Sequence, residues 1–230
     1  MVSEAVAQPG LFPSDSFRTE LLLIRHGQSA AVVPGALDSA DPALSEIGCV
    51  QADALARRLH LRRIDAVYAS SMKRAVQTAE PIASDRATTV VEDGDLREVD
   101  LGEWSHGGYR KRAAANDPEF LRFAAAGRWD LIPGSEGDGP FRQRVMTTLH
   151  RLACAHVDRS LAVVCHGGVI NAVLAEILGI ERSTFTLIEN TSVTIVRFDL
   201  ATDRWLVVTL NDATHLYDVV AGTSSEFAPT

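Results

Sequence analysis

Two apolar runs in this sequence each stop at a histidine followed by a glycine. Leu21-Leu22-Leu23-Ile24, introduced by Glu20, gives way to Arg25-His26-Gly27, and Leu161 to Cys165 gives way to His166-Gly167-Gly168. A short continuous apolar run bounded by turn residues reads as a strand buried on both faces. Such strands need helices on either side and crossover connections between them. The feature therefore narrows the chain to an α/β fold, a three-layer α/β/α sandwich with a mainly parallel central sheet. In open sheets of this kind, ligands sit just beyond the carboxyl ends of the strands. If the two strands are neighbours, both imidazoles land on that edge, and each glycine leaves a backbone N–H open to a ligand.

The intervening residues alternate as that fold requires. After the strand at 20–25, Ser45 is placed to cap a helix in which Ile47, Val50, Ala54, Leu55 and Leu59 recur at helical spacing. Ile64 to Ala69 reads as a second strand, followed by a helix from Met72 that Pro81 should kink or end. Thr88 to Val91 is a third strand, and Glu92 to Gly108 is turn-rich and acidic. Residues 109–127 are weakly helical and interrupted at Pro118, before a cluster of Pro133, Gly134, Gly137, Gly139 and Pro140. A helix with Phe141, Val145, Leu149 and Leu152 on one face leads to the second His-Gly strand. The next helix carries Val169, Ile170, Val173, Leu174, Ile177 and Leu178 and is closed by Gly179. Val193–Phe198 and Trp205–Leu210 read as a closing hairpin. The expected organisation is a flexible N-terminal arm at 1–19, a single domain at 20–220 and a flexible tail at 221–230.

A chain of 230 residues can bury a full α/β core. Its net charge of −8 argues against a general nucleic-acid binder and requires any phosphate site to be locally basic. Residues 1–19 have neither the cationic start nor the apolar core of a signal peptide, and no run is long enough to span a bilayer. Cys49, Cys154 and Cys165 are odd in number and lack metal-type spacing, so they read as buried or free thiols of a cytoplasmic protein. The seven histidines include no HExxH pair, and no metal site is expected.

Chemistry-bearing residues gather at the strand ends. Arg25 and His26 close one strand, His166 closes another, and Arg74 falls in the first turn of the helix after the second strand. Two guanidinium forks, two imidazoles and a positive helix end around one point suit a phosphoryl group. Tyr109-Arg110-Lys111-Arg112 is a short basic cluster, ordinarily a solvated helix face, that could also reach over the site toward an anionic substrate.

Taken as ordered blocks, these residues resemble the histidine phosphatase superfamily, in its phosphoglycerate mutase-like branch. Arg25-His26-Gly27 followed by Gln28-Ser29, Asp41-Pro42-Ala43-Leu44-Ser45 through Gly48 to Gln51-Ala52, and Ser70 through Ala79 match the first three blocks. Leu96-Arg97-Glu98 with Gly102 and Trp104, then His166-Gly167-Gly168, then Leu210-Asn211-Asp212 with His215-Leu216, complete the likeness over roughly 20–216. The resemblance implies a metal-independent phosphatase of small-molecule phosphomonoesters that works through phosphohistidine without a cofactor. It implies that His26 is the nucleophile, that Arg25, Arg74 and His166 hold the phosphoryl oxygens, and that Gly167 N–H and the Ser29 hydroxyl are further donors. It implies Glu98 as the acid that protonates the leaving oxygen and then activates water. Glu92, Asp93, Asp95, Asp100 and Glu103 lie beside Glu98, and only the Leu-Arg-Glu match singles it out.

Departures from the mutase pattern favour hydrolysis. Val32 stands where many members carry Asn, and Arg97-Glu98-Val99-Asp100 replaces the mutases' Arg-His-Tyr-Gly run. Pro133-Gly134-Ser135-Glu136-Gly137 replaces a Gly-Gly-Glu-Ser run, and Glu136 is not expected to be catalytic. The alternatives are a cofactor-dependent phosphoglycerate mutase and an inactive phosphate-binding regulatory module. The expected partner is a small-molecule phosphate ester, with no nucleic acid and no membrane; a homo-oligomer stays open.

Overall fold

The computed structural model describes residues 18–217, so the expected tail from Ala221 and most of the expected arm lie outside the described residues. Thr19, placed in the arm by the sequence, already belongs to the first strand, β1 (Thr19–Arg25). The remaining strands are β2 (Ala66–Ser70), β3 (Val90–Asp93), β4 (Ser160–Cys165), β5 (Val193–Asp199) and β6 (Arg204–Asp212). They form one sheet in the order β3-β2-β4-β1-β5-β6. The four strands from β3 to β1 run parallel, whereas β5 lies antiparallel to β1 and β6 to β5, which is the expected hairpin.

Alternation along β1 divides the core. Leu21 and Leu23 join a cluster with Phe141, Val145 and Leu149 of α5 (Asp138–Ala155) and Val169, Ile170 and Val173 of α6 (Gly167–Leu178). Leu22 and Ile24 point the other way, to Leu55 and Leu59 of α1 (Glu46–Leu59) and Ala75, Ala79 and Ile82 of α2 (Lys73–Ser84). β4 divides in the same way, with Leu161, Val163 and Cys165 on one side and Ala162 and Val164 on the other. This is the three-layer sandwich, and each fully buried Leu or Ile contributes about 1.5–3 kcal/mol to holding it.

Local signals behaved unevenly. Ser45 caps α1 by accepting from Gly48 N at 3.0 Å. The buried face of that helix is nevertheless Gly48, Gln51, Ala52, Ala54, Ala56, Leu55 and Leu59, while Ile47 and Val50 are exposed. Small residues there let α1 approach the loop after β1 closely. Pro81 does not end α2, which continues to Ser84 with Asp85 N bonded to Pro81 O at 3.2 Å. Its missing N–H costs one bond late in the helix, where the last turn still closes. Pro118 does interrupt: it is the first residue of α4 (Pro118–Ala126), separate from α3 (Gly108–Ala114), with Asp117 capping Glu119 N at 2.8 Å. Gly179 ends α6 at φ 67°, the left-handed conformation a glycine reaches without strain.

An aromatic layer fastens α3 and α4 to the body. Trp104 meets Phe123 edge to face at 5.8 Å, and Phe123 lies 5.1 Å from Trp129. Tyr109 and Phe120 close the group at 5.3 Å. Of these rings, Tyr109 and Trp129 line the space above the sheet's carboxyl edge.

Candidate active site

Parallel pairing of β1 with β4 sets Arg25 opposite Cys165, so the next residue of each strand is a histidine on the same edge. The His26 and His166 rings lie 5.1 Å apart, nearly edge to face. Between them comes Arg74, from the first turn of α2. Its Nε donates to His26 Nε2 at 3.1 Å, and its Nη2 stands 3.3 Å from His166 Nδ1.

These contacts choose the tautomers. His26 Nδ1 lies 2.6 Å from the Gly27 carbonyl, an acceptor, so Nδ1 carries the proton. Nε2 then keeps its lone pair, which Arg74 meets with a donor. Burial, then the charges of Arg74 and Arg25, hold this imidazole well below its ordinary pKa, so the ring is neutral. His166 is fully buried and is held down by burial, His26 and Arg74. Its Nε2 sits 2.8 Å from Ser70 Oγ at the end of β2. With Arg74 donating toward Nδ1, Nε2–H is the donor to Ser70.

Arg25 reaches across the same floor. One guanidinium nitrogen donates to the Ile188 carbonyl, while its Nε is buried without a partner. A buried orphan donor of this kind calls for a ligand oxygen. Gly167, at the start of α6, flanks it: a Cβ there would lie 3.7 Å from Arg25 Nε, so the approach is open. Gly27 differs from the expectation. Its N–H donates to Thr78 Oγ1 at 2.9 Å instead of facing a ligand, and a Cβ on it would meet Gly48 O at 2.7 Å. Its glycine serves the close approach of the β1–α1 turn.

Glu98 stands over the floor from the loop after β3. Its carboxylate accepts from Gly168 N and Val99 N, each at 3.1 Å, and so rests on the positive end of α6. A side chain at Gly168 would collide with that carboxylate. Glu136 lies outside the cavity and has another task. Arg144 of α5 holds it bidentately, Nε and Nη2 each at 2.7 Å, and donates Nη1 to the carbonyls of Asp95 and Arg97 at 2.6 and 3.1 Å. Glu136 N donates to Asp100 O at 2.9 Å, completing a brace on both sides of the Glu98 segment.

Arg25, His26, Ser29, Arg74, Glu98 and Gly167 line one cavity of about 870 Å³, with His166 buried beneath it. Ser29 is at its edge, where its hydroxyl accepts from Arg110 at 2.7 Å. Tyr109 and Arg110 of the basic cluster line the cavity, whereas Arg112 pairs with Asp117 and Glu119 and covers Trp104. Sequence reasoning passed over Ser70, Gly168 and Arg144. Ser70 could have been found from its place at a strand's carboxyl end and Gly168 from the His-Gly-Gly run, though not its contact with Glu98; Arg144 carries no local signal. Cys165 is fully buried in β4, where burial pushes its thiol up, so it is not a nucleophile. Cys49 and Cys154 are likewise free thiols. Among the described residues no cluster of three or more His, Cys, Asp or Glu could hold a metal ion. No helix among them is long and apolar enough to cross a membrane.

Comparison with known proteins converges on one group. A metal-independent phosphoserine phosphatase of Arabidopsis thaliana is 34% identical over 209 residues, covering 87% of this chain and 84% of that protein. Phosphoserine phosphatase 1 of Hydrogenobacter thermophilus is 29% identical over 206 residues, 86% of this chain and 94% of the relative. The solved mycobacterial glucosyl-3-phosphoglycerate phosphatase superposes with a TM-score of 0.70 at 27% identity, over 84% of this chain and 98% of that one. The family model of the histidine phosphatase superfamily, branch 1, matches residues 21–213, and the chain belongs to that superfamily.

Proposed function

We propose that this protein is a metal-independent phosphatase that hydrolyses a small-molecule phosphomonoester through phosphohistidine at His26. Family membership and the relatives above make it a phosphoric monoester hydrolase, and the mutase reading has less support. The observation that carries the mechanism is the state of His26: neutral, proton on Nδ1, lone pair on Nε2, with Arg74 and the unpartnered Arg25 Nε beside it.

In the first half-reaction Nε2 bonds to phosphorus as the ester P–O bond breaks. Arg25 and Arg74 stabilise the charge spread over the three phosphoryl oxygens, with Gly167 N–H and the Ser29 hydroxyl as further donors, and His166 joins them once the arriving dianion draws a proton onto its Nδ1. Glu98 is the acid that gives a proton to the departing alkoxide. In the second half Glu98 takes a proton from water, the new O–P bond forms, and the P–Nε2 bond breaks to release phosphate and neutral His26.

The test is phosphate release from a panel of sugar phosphates, phosphoserine, phosphoglycerates, nucleotides and aryl phosphates, with acid quench during turnover. The expected results are release from at least one ester and an acid-labile, base-stable phosphoprotein. A parallel incubation with 3-phosphoglycerate and a bisphosphoglycerate primer should give little 2-phosphoglycerate. Interconversion faster than phosphate release would reverse the reading.

A further inference from the structure

The sheet has a second charged edge, at the amino ends of β1 and β4, opposite the candidate active site. Strand register sets Glu20 of β1 beside Ser160 of β4 on one side and Arg197 of β5 on the other. The turn before β2 brings Arg62, Arg63 and Asp65 to the same edge, and the turn before β4 brings Arg159. Two largely covered carboxylates are each gripped there by two arginines. Glu20 accepts from Arg62 Nη2 at 2.5 Å and from Arg197 Nε at 2.9 Å. Asp65 accepts from Arg63 Nε and from Arg159 Nη1, each at 3.1 Å. Ser160 joins the two clusters, its Oγ donating to Glu20 at 3.3 Å and its N–H to Asp65 at 2.8 Å. Glu20, Arg62, Arg63, Arg159, Ser160 and Arg197 line a cavity of about 540 Å³.

Two cations on one carboxylate leave each cluster one positive charge in excess, in a chain whose net charge is −8. Arg62, Arg159 and Arg197 each spend one nitrogen on their carboxylate and stay 38%, 55% and 44% exposed, so the other N–H groups of each fork are open to an anion. A fork already held by a carboxylate is oriented before a ligand arrives, which lowers the ordering cost of binding. We propose that this cavity is a second anion-binding site, for a small molecule that carries two phosphate groups, one on each cluster. One excess charge per cluster suits two linked anionic groups, and planar forks match phosphate oxygens. The volume falls within the range of small-molecule sites. The site is separate from the phosphoryl floor: β1 spans the interval from Glu20 to Arg25, about 17 Å at the rise of a strand. The proposal stands apart from the phosphatase reading.

The experiment is calorimetric titration of the full chain with methylenebisphosphonate, whose P–C–P bridge resists hydrolysis, at one fixed ionic strength. Arg159→Gln and Arg197→Gln each remove one cation from a cluster and leave its carboxylate the other arginine, so neither carboxylate is orphaned. Arg74→Gln alters the floor of the candidate active site instead. The dissociation constant for the amino edge should rise about tenfold or more in each edge variant, as loss of a charge-assisted hydrogen bond does, and less than about twofold in Arg74→Gln. Any further binding event on the floor is identified by its loss in Arg74→Gln. Inorganic phosphate, which engages one cluster at a time, should bind about tenfold more weakly or worse. Arg63→Gln and Arg62→Gln probe the same two clusters should an edge variant fail to melt cooperatively. Absence of binding at millimolar bisphosphonate overturns the proposal. So does binding that Arg74→Gln abolishes and the edge variants leave intact, which would put the anion on the catalytic floor alone. Inorganic phosphate that binds as tightly as the bisphosphonate overturns the assignment of two linked groups.

Discussion

At the cavity floor each side chain is held by at least one partner from elsewhere in the chain: His26 by Arg74 as well as by the adjacent Gly27 O, His166 by Ser70 and Arg74, Arg25 by Ile188 O. At the rim, Arg110 and Tyr109 ride on α3, a helix of seven residues that buries none of its own. The floor sits at strand ends, where parallel register sets positions to within a fraction of a residue. The rim is fastened through an aromatic layer that holds the segment as a body and leaves its outward side chains free to differ. On the proposed function, chemistry belongs to the first arrangement and choice of substrate to the second. Changes at the floor should therefore strike every substrate alike, and changes at the rim should strike some and spare others.

The sharpest break of that comparison is at His26. His26→Ala should lower turnover by about a thousandfold or more on every ester, because no other neutral nucleophile faces the phosphoryl position. Trapping of the phosphoprotein should vanish with it. Retention of a tenth of the activity, about 1.4 kcal/mol of barrier, would remove the nucleophile assignment.

Glu98→Gln comes next, with an expected loss of about a hundredfold to ten-thousandfold in kcat/KM, which reports the leaving-group step, on alkyl esters. The loss should shrink on aryl phosphates, whose leaving groups need less help from an acid. An equal loss on both classes would show that Glu98 supports the fold of the site and not proton transfer.

Glu136→Gln probes the brace behind Glu98 and should cost about tenfold in kcat with KM little changed, since the misplacement reaches the acid and not the phosphoryl cradle. Glu136→Asp should restore part of it. A KM effect as large as the kcat effect would place Glu136 in substrate binding instead.

Acid pH offers a smaller, graded test. Burial holds the folded His26 and His166 below the ordinary imidazole value of 6.5. Below that pH the unfolded chain binds more protons than the folded one, so stability present above it is lost as pH falls. His215, pushed down to about 4 by burial and then by Arg58, adds to the same slope. Thermal melts of wild type should therefore decline more steeply with falling pH below 6.5 than those of His26→Asn, using the ordinary value as the upper edge of the window. Parallel slopes would contradict the neutral assignment of His26.

No change at all is expected from chelators, because Arg25 and Arg74 supply the cationic work. Activity lost on EDTA dialysis and restored by a divalent metal would overturn this.

Legibility followed the same division. The layers were readable from chain pattern, and the meeting of His26, Arg25, Arg74 and His166 was readable on the condition, met in the structure, that β1 and β4 are neighbours. Helix α1 was read correctly in part: Ala54, Leu55 and Leu59 are buried as expected, but Ile47 and Val50 are exposed, and Gly48 and Gln51 make the tight contact with Gln28 instead. Arg144 was unreadable for a different reason. It lies three residues from Phe141 on the same side of α5, over that ring at 5.1 Å, yet its partners are carbonyls far away in sequence. Gly168 has its role only because Glu98 arrives from another element. Long-range polar contacts leave no period in a sequence.

The Gly27 carbonyl has a consequence beyond orienting a ring. In the proposed mechanism, when Nε2 of His26 takes the phosphoryl group, the proton on Nδ1 has an acceptor at 2.6 Å and stays where it is. The imidazole of the phosphoenzyme is then a cation, and its P–N bond breaks to leave a neutral ring and not an anionic imidazolate. One backbone oxygen thus prepares the same nitrogen as an entering group and, later, as a departing one. The proposal thereby predicts the isomer, phosphorus on Nε2; a phosphoenzyme found on Nδ1 would require that contact to open.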